Sequence, residues 1–313
     1  MTLTQLEYIL AVEQYRHFGR AAKSCSVTQP TLSMQIQKLE DELGEIIFDR
    51  SKNPILPTQL GLKIITQARL VIKEHKKIYG LIELDSKELS GSLSLGIIPT
   101  LCPYLLPFFL EDFMQEYPNV KLSIKEMQTP DIIKALEDDS LDAAILVTPL
   151  KHSQIIERKL FTEQFHIFTS KLHPFFSRKE IKMSDLKGQT PWLLEEGHCL
   201  RDQVLNICKI RKISARSDLI FEGGSLETLI NLVNHGNGST LIPEISTFYY
   251  SKFKNMIKPI TAPTPLREVS IVHSRIFLKE KIIDAVEKSI LKKLPNTLIS
   301  NKNKAQNVVK ISL

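Results

Sequence analysis

The 313-residue chain predicts an α+β multidomain protein: an N-terminal winged helix-turn-helix, a long linker helix, then two α/β lobes. Three observations carry that prediction. Residues 2–57 repeat apolar side chains at helical spacing and end in a proline-containing turn region. A single long helical pattern follows, and beyond Ser90-Gly91-Ser92 short apolar runs alternate with helical stretches. The composition, 42% hydrophobic and 24% charged with 12 Gly and 16 Pro, is that of a globular protein and excludes a disordered chain, a collagen or a disulfide scaffold.

In the first domain, residues 1–58, the facing sides of a small helical core are Leu3, Leu6 and Leu10, then Phe18, Ala21, Ala22 and Cys25, then Leu32, Ile36, Leu39 and Leu43. The second helix stops near Ser26-Val27. The third opens with Thr28 as N-cap and Pro30 in its first turn, and Gly44 stands just past its end. The short connection between them has the spacing of a helix-turn-helix. From Phe48 to Pro57, Asn53-Pro54 and a second proline disfavour helix and read as a hairpin-like wing. Thr58 then caps the linker, residues 59–90, a helix reaching about Leu89. Its Ile65, Ala68, Ile72, His75, Tyr79 and Ile82 alternate spacings of three and four, an imperfect coiled-coil seam that predicts a dimer.

Residues 91–295 follow as an α/β region. Strands at Leu93–Ile98, Val120–Lys125 and Leu141–Val147, separated by helices to Tyr117 and over 130–138, make a βαβαβ succession and imply a parallel sheet. The alternation resumes with strands at Ile155–Leu160, Gln164–Thr169 and Trp192–Leu194, a helix from Cys199 to about Arg211, a strand at Asp218–Glu222, a helix over 225–235 and a strand at Ser239–Ile242. Strands near Ile257–Ile260 and Glu268–His273 precede a last amphipathic helix, 278–293. These elements divide into lobe I, residues 91–161 and 269–295, and lobe II, residues 162–268, with a cleft between them. The Asn/Lys-rich segment 296–313 reads as a solvated tail.

Formal net charge is +6, but residues 1–90 carry only +1, residues 91–274 carry −1 and residues 275–313 carry the +6 surplus. The N-terminus lacks a secretory pattern and no stretch approaches the roughly 18 apolar residues of a membrane span, so the expectation is a cytoplasmic protein with no membrane partner. Its four cysteines, Cys25, Cys102, Cys199 and Cys208, are then reduced by default.

Charge is distributed locally in a way that suits nucleic acid. From Gln14 to Lys38 no acidic residue occurs, while Arg16, Arg20, Lys23 and Lys38 do. On the third helix, the side opposite Leu32, Ile36 and Leu39 shows Thr31, Met34, Gln35 and Lys38, with Gln29 and Ser33 near its start; Gln, Thr and Ser can exchange hydrogen bonds with base edges in the major groove. Arg50 and Lys52 on the wing are placed to reach phosphates. The competing interpretation is a helical dimerisation domain whose charges are a solvated face.

The run Leu6-Glu7-Tyr8 through His17-Phe18-Gly19-Arg20-Ala21-Ala22, then Val27-Thr28-Gln29-Pro30-Thr31-Leu32-Ser33-Met34-Gln35-Ile36, Leu39-Glu40-Asp41-Glu42-Leu43-Gly44 and Phe48-Asp49-Arg50, resembles the winged helix-turn-helix of LysR-type transcriptional regulators. The linker and a two-lobed part similar to type 2 periplasmic binding proteins extend the resemblance to about residue 293. It implies that Gln29, Pro30, Thr31, Ser33, Gln35 and Arg50 contact DNA.

His198-Cys199-Leu200-Arg201-Asp202-Gln203 through Cys208 poses a geometric question. Nine residues of α-helix turn through about 900° and rise about 13.5 Å, whereas a disulfide needs Cα atoms about 4.4–6.8 Å apart. Joining Cys199 to Cys208 therefore requires the helix to unwind. The helix N-terminus and Arg201 would favour a Cys199 thiolate; equally, Leu200, Leu205, Ile207 and Ile210 mark an apolar neighbourhood in which both cysteines are plain packing residues. The run Glu196 to Gln203 followed by Cys208, with Ile98-Pro99-Thr100, Pro103 to Pro107, Gln128-Thr129 and Ser225 to Leu229, is similar to the hydrogen-peroxide-sensing members of the same family.

That resemblance implies a peroxidatic Cys199, a resolving Cys208, and a peroxide pocket of Thr100, Thr129, His198 and Asp202. Taken alone, the two threonines read as helix N-caps. The partners it implies are double-stranded promoter DNA, hydrogen peroxide, cellular thiol reductants and RNA polymerase. The same resemblance implies a homodimer or homotetramer, no cofactor, no metal and no enzymatic turnover. The alternatives are a LysR-type regulator answering a small metabolite in the inter-lobe cleft, and a thiol peroxidase. Arg267 is either an orienting residue of the pocket or a surface charge at a hinge, and Cys102 is either a buried structural thiol or an accessory one.

Overall fold

The computed structural model describes residues 1–83, 89–210, 223–274 and 279–300, and the chain divides into two compact units, Met1–Ser86 and Lys87–Leu313. In the first unit, α1 (Leu3–Tyr15) starts with a capping box, Thr2 with Gln5. Next, α2 (Phe18–Ser24) is capped by His17, whose Nδ1 accepts from the Gly19 and Arg20 N–H groups. The reading-helix candidate, α3 (Gln29–Leu43), is capped by the Thr28 hydroxyl and closed by Gly44 at φ 70°, the left-handed conformation that glycine adopts without a Cβ penalty. Strands β1 (Phe48–Asp49) and β2 (Leu56–Pro57) pair antiparallel as the wing.

The linker helix α4 spans Gln59–Glu83 among the described residues; the rest of the expected reach, residues 84–88, lies outside them, and Leu89 is not helical. As expected, Thr58 Oγ1 accepts from the Gly61 N–H at 2.9 Å, and it also donates to the Ile46 carbonyl at 2.8 Å. Gly61 cannot be larger, since a Cβ there would lie 2.1 Å from the Ile47 carbonyl oxygen. The first half of the face expected to form a seam packs within the chain. Ile65, Ala68 and Ile72 are buried in one cluster with Leu6, Ile9 and Val12 of α1, Phe18 and Ala21 of α2 and Leu32, Ile36 and Leu39 of α3. The side chains of Tyr79 and Ile82 lie outside the described ones. Leu43, expected in the core, is 39% exposed, because the helix ends there and turns away.

The second unit opens with β3 (Gly91–Ile97), α5 (Cys102–Glu116), β4 (Val120–Glu126), α6 (Thr129–Glu137) and β5 (Ala143–Thr148). The three strands are parallel in the order β4-β3-β5, as their spacing predicts, and β5 is buried along its whole length. Beyond them the pattern differs from the expected repetition. The two strands expected at Ile155–Leu160 and Gln164–Thr169 are one long strand, β6 (Ile155–Thr169), with a register shift between Lys159 and Phe161. No strand forms at Trp192–Leu194, and the expected strand at Asp218–Glu222 lies outside the described residues.

The remaining elements are α7 (Cys199–Cys208), α8 (Leu226–His235), β7 (Ser239–Pro243), the short α9 (Glu244–Thr247), β8 (Ile257–Pro259), β9 (Leu266–Ser274), α10 (Glu280–Lys293) and α11 (Asn296–Ser300). β9 runs antiparallel to β5 on one side and to the first part of β6 on the other, and the end of β6 pairs antiparallel with β7 and β8. Among the described strands, parallel pairing is therefore confined to the first half of the unit. The start of the expected tail is also structured: residues 296–300 are helical and Leu298 is fully buried.

Candidate functional site

Two sites can be built from the residues upward, one in each unit. On α3, Gln29, Pro30 and Thr31 are exposed and Ser33 and Gln35 half-buried, while Leu32, Ile36 and Leu39 point into the core. Amphipathicity therefore lays the polar stripe outward, as the spacing predicts. Thr31 is partly engaged, its hydroxyl 2.8 Å from that of Thr28. Wing and helix are tied together by Glu40, a buried carboxylate that accepts from the N–H groups of Ile47 and Phe48 at 2.8 and 3.2 Å and from Arg50 Nη2 at 2.8 Å. Arg50 also lies over the Phe18 ring, 5.2 Å from its centroid. Its guanidinium thus anchors the wing as well as facing outward, while Lys52, 3.6 Å from Asp49, is the more exposed wing cation.

The second site surrounds the N-terminus of α7. Cys199 is the first residue of that helix and Cys208 the last, and both are free, buried thiols. Burial pushes the Cys199 thiol up from its ordinary value, opposed by the Arg267 guanidinium, the Thr129 hydroxyl and the Leu200 N–H; Asp202 adds a smaller push upward. The expected bias toward thiolate is therefore present but outweighed by desolvation. The responsible cation is Arg267 rather than Arg201, whose Nη1 donates to the Leu194 carbonyl at 2.6 Å. Burial alone pushes Cys208 up to about 12.

Arg267 is 1% exposed and no surface hinge charge. Its Nε donates to Glu163 at 2.8 Å, its Nη1 to the Thr100 hydroxyl at 3.2 Å and its Nη2 to the Thr100 carbonyl at 3.4 Å, while the other oxygen of Glu163 accepts from the Ile245 N–H. Thr100 sits between β3 and α5 and Thr129 begins α6; neither is an N-cap, those positions being Leu101 and Gln128. Thr129 Oγ1 is buried, and the Cys199 thiol is the group it acts on. The structure thus gathers Cys199, Thr129, Thr100 and Arg267. His198, 4% exposed, turns instead toward Gln128 (3.2 Å) and Glu195 (3.6 Å) and lines a cleft of about 840 Å³ with Pro99, Pro103 and Asp131. Asp202 is exposed and acts on Cys199 only through its charge.

Glu163 was not foreseen. It lies in β6, which also carries Glu157, Arg158 and Lys159, so nothing local sets it apart; only its full burial shows that it needs a buried partner. Gln5 was also missed. Cys102 is half-buried, and burial with a hydrogen bond to Glu126 pushes its thiol up to about 12, which fits a structural thiol better than a reactive one. None of the described helices is long and apolar enough to cross a membrane, and the described residues hold no group of three metal-ligating side chains.

A helix-turn-helix with a wing, joined by a helix to a two-part α/β unit, defines a DNA-binding transcription regulator with a separate sensing part. The chain belongs to the LysR family: residues 3–62 match the bacterial regulatory helix-turn-helix protein, lysR family, and residues 86–279 the LysR substrate binding domain. It is 39% identical over 274 residues, 87% of this chain and 90% of the relative, to the hydrogen peroxide-inducible genes activator of Pectobacterium carotovorum. It is 38% identical, over 87% of this chain and 89% of the relative, to the DNA-binding transcriptional dual regulator OxyR of Escherichia coli K12. Among solved structures, a full-length cysteine-to-aspartate variant of Pseudomonas aeruginosa OxyR is similar with a TM-score of 0.77 and 34% identity, covering 93% of this chain and 94% of that one. An H2O2-bound cysteine-to-serine mutant of Corynebacterium glutamicum OxyR is similar with a TM-score of 0.61 and 28% identity, covering 100% and 98%.

Proposed function

We propose that this chain is a cytoplasmic transcription regulator that senses hydrogen peroxide through Cys199 and Cys208. The observation that carries the reading is the placement of two free thiols at opposite ends of one helix, the first beside Arg267 and the buried Thr129 hydroxyl. Cys199 gives up its proton and its sulfur attacks one peroxide oxygen. The O–O bond breaks, leaving sulfenic acid and one water. Cys208 then displaces the hydroxyl of the sulfenic acid, which leaves with the Cys208 proton as a second water, and the S–S bond forms. A cellular dithiol reverses the state by returning two electrons and two protons.

Arg267 stabilises the Cys199 anion and fixes Thr100, and Thr129 supplies a hydroxyl to the incoming peroxide. His198 and Asp202 border the site, His198 from the cleft side. Because the thiols stand nine positions apart at the two ends of one helix, disulfide formation has to unwind α7, which suits a slow switch better than a turning-over peroxidase. The movement is transmitted between lobe I, residues 91–161 and 269–295, and lobe II, residues 162–268, through β6 and β9. The DNA-binding unit, residues 1–58, reads promoter duplex with Gln29, Pro30, Thr31, Ser33 and Gln35, with Arg50 holding the wing, in a homodimer or homotetramer that engages RNA polymerase. A second reading, a metabolite in the cleft bordered by His198, is favoured by that cleft's size.

The test is peptide mass spectrometry and promoter footprinting of reduced and peroxide-treated protein. A Cys199–Cys208 bond and an altered footprint are expected, both absent in Cys199→Ser. A peroxide-dependent footprint that persists in Cys199→Ser sinks the redox reading and leaves the metabolite reading standing.

A further inference from the structure

Gln5 is 6% exposed, polar, and on the side of α1 that faces α3. Its amide is oriented by groups that have no choice of role. Gln5 Oε1 accepts from the Thr2 backbone N–H at 2.8 Å, which only an acceptor can do. Its Nε2 must then point the other way, and it donates to the Gln35 backbone carbonyl at 3.3 Å, which only a donor can do. The same Nε2 lies 3.3 Å from Gln35 Oε1. Turning the Gln35 amide over would set NH2 against NH2, so its oxygen is held toward Gln5 and its own NH2 is the atom left to meet a base.

We infer that Gln5 sets the base preference of this regulator: it fixes Gln35 as a hydrogen-bond donor and so selects guanine over adenine at one position of the operator. In the major groove guanine presents two acceptors, O6 and N7, whereas adenine sets the N6 amino donor beside N7. A glutamine free to offer both amide atoms pairs with adenine; one whose oxygen is engaged inside the protein meets the adenine amino group donor to donor. The inference rests on the proposed reading of Gln35 as a base contact.

The experiment is competition binding of the full-length protein to its own promoter duplex and to every single base-pair substitution of it. Wild type is expected to prefer G at one position by about tenfold or more, and Gln35→Ala to flatten that position. Gln5→Met is expected to reduce the preference to within about twofold. Gln5→Glu gives the stronger test: a glutamate three residues after Thr2 still completes the capping box, but its carboxylate accepts from Gln35 and turns the Gln35 oxygen outward. The preference at the same position should then move to A or C, whose amino groups donate, with random-duplex affinity unchanged within about twofold. Retention of the wild-type preference by both Gln5→Met and Gln5→Glu overturns the inference alone. If Gln35→Ala alters no base preference, the reader assignment fails and the inference with it.

Discussion

The helix proposed to read bases, α3, and the helix proposed to carry the redox pair, α7, are held in different ways. α3 is finished at both ends, by the Thr28 hydroxyl and by Gly44, and its buried residues are apolar except Glu40, which is fully paired. α7 is finished less well: backbone bonds from the Lys209 N–H to the Asn206 and Leu205 carbonyls and from the Ile210 N–H to the Leu205 carbonyl at 2.9 Å close its last turn, but on a residue that is not glycine. His198 makes no side-chain cap, and the left-handed residue after Cys208 is Lys209 at φ 52°, where a side chain is strained. Within it Gln203 is fully buried with neither amide atom hydrogen-bonded among the described residues. The contrast teaches that the helix proposed to present a fixed surface is locally self-sufficient, whereas the one proposed to unwind is held by its surroundings.

The largest effect expected is therefore at the surroundings. Arg267→Met leaves Glu163 buried and uncompensated, and breaking a buried pair of this kind costs about 3–5 kcal/mol. Calorimetry should show a sharp fall in the melting temperature of the second unit, and the Cys199 thiol should react more slowly with peroxide. Should the first unit melt lower by the same amount instead, the supposed independence of the two regions is wrong.

Far more of α3 than of α7 was legible in the sequence. Thr28, Pro30 and Gly44 are local signals, and the 3.6-residue repeat of Leu32, Ile36 and Leu39 needs no knowledge of the rest of the chain. What surrounds α7 comes from afar: Arg267 and Glu163 are 104 residues apart and meet only because β9 lies beside β6. A stretch of β6 that reads as two strands hid that pairing. The seam on α4 shows the same limit, since periodicity shows an apolar face without saying what covers it, and the cluster with α1, α2 and α3 takes its first half, Ile65, Ala68 and Ile72. For the Cys199 thiol the sequence offered both the helix end and an apolar neighbourhood, and which of them weighs more depends on a burial completed by distant parts of the chain.

Gln203 offers a middle-sized effect. An unpaired buried amide costs about 1–3 kcal/mol, so Gln203→Met, close in shape and apolar, should stabilise α7 and make the reduced protein harder to oxidise. Equilibration with a dithiol buffer should show the Cys199–Cys208 disulfide less favoured by about tenfold, close to 30 mV for a two-electron couple. Asn206→Met, on the exposed side of the same helix, serves as the control and should shift it by less than about twofold. Equal shifts in both variants would mean that the helical preference of methionine, and not relief of the buried amide, is responsible.

The smallest effects separate the helix ends themselves. Thr28→Ala removes a working cap and should cost about 1 kcal/mol, whereas Lys209→Gly relieves a left-handed side chain and should gain about as much, partly offset by the freedom of glycine in the unfolded chain. The signs are opposite because one end is already optimal and the other is not. Amide hydrogen exchange resolves them helix by helix: protection should fall over α3 in the first variant and rise over α7 in the second. The second should also disfavour the disulfide by up to about fivefold, since a gain of about 1 kcal/mol in the intact helix is lost when it unwinds. If Lys209→Gly slows exchange in α7 but leaves the disulfide equilibrium where it was, the bond forms without opening the C-terminal turn. Unwinding must then begin at the uncapped end, where Cys199 already sits.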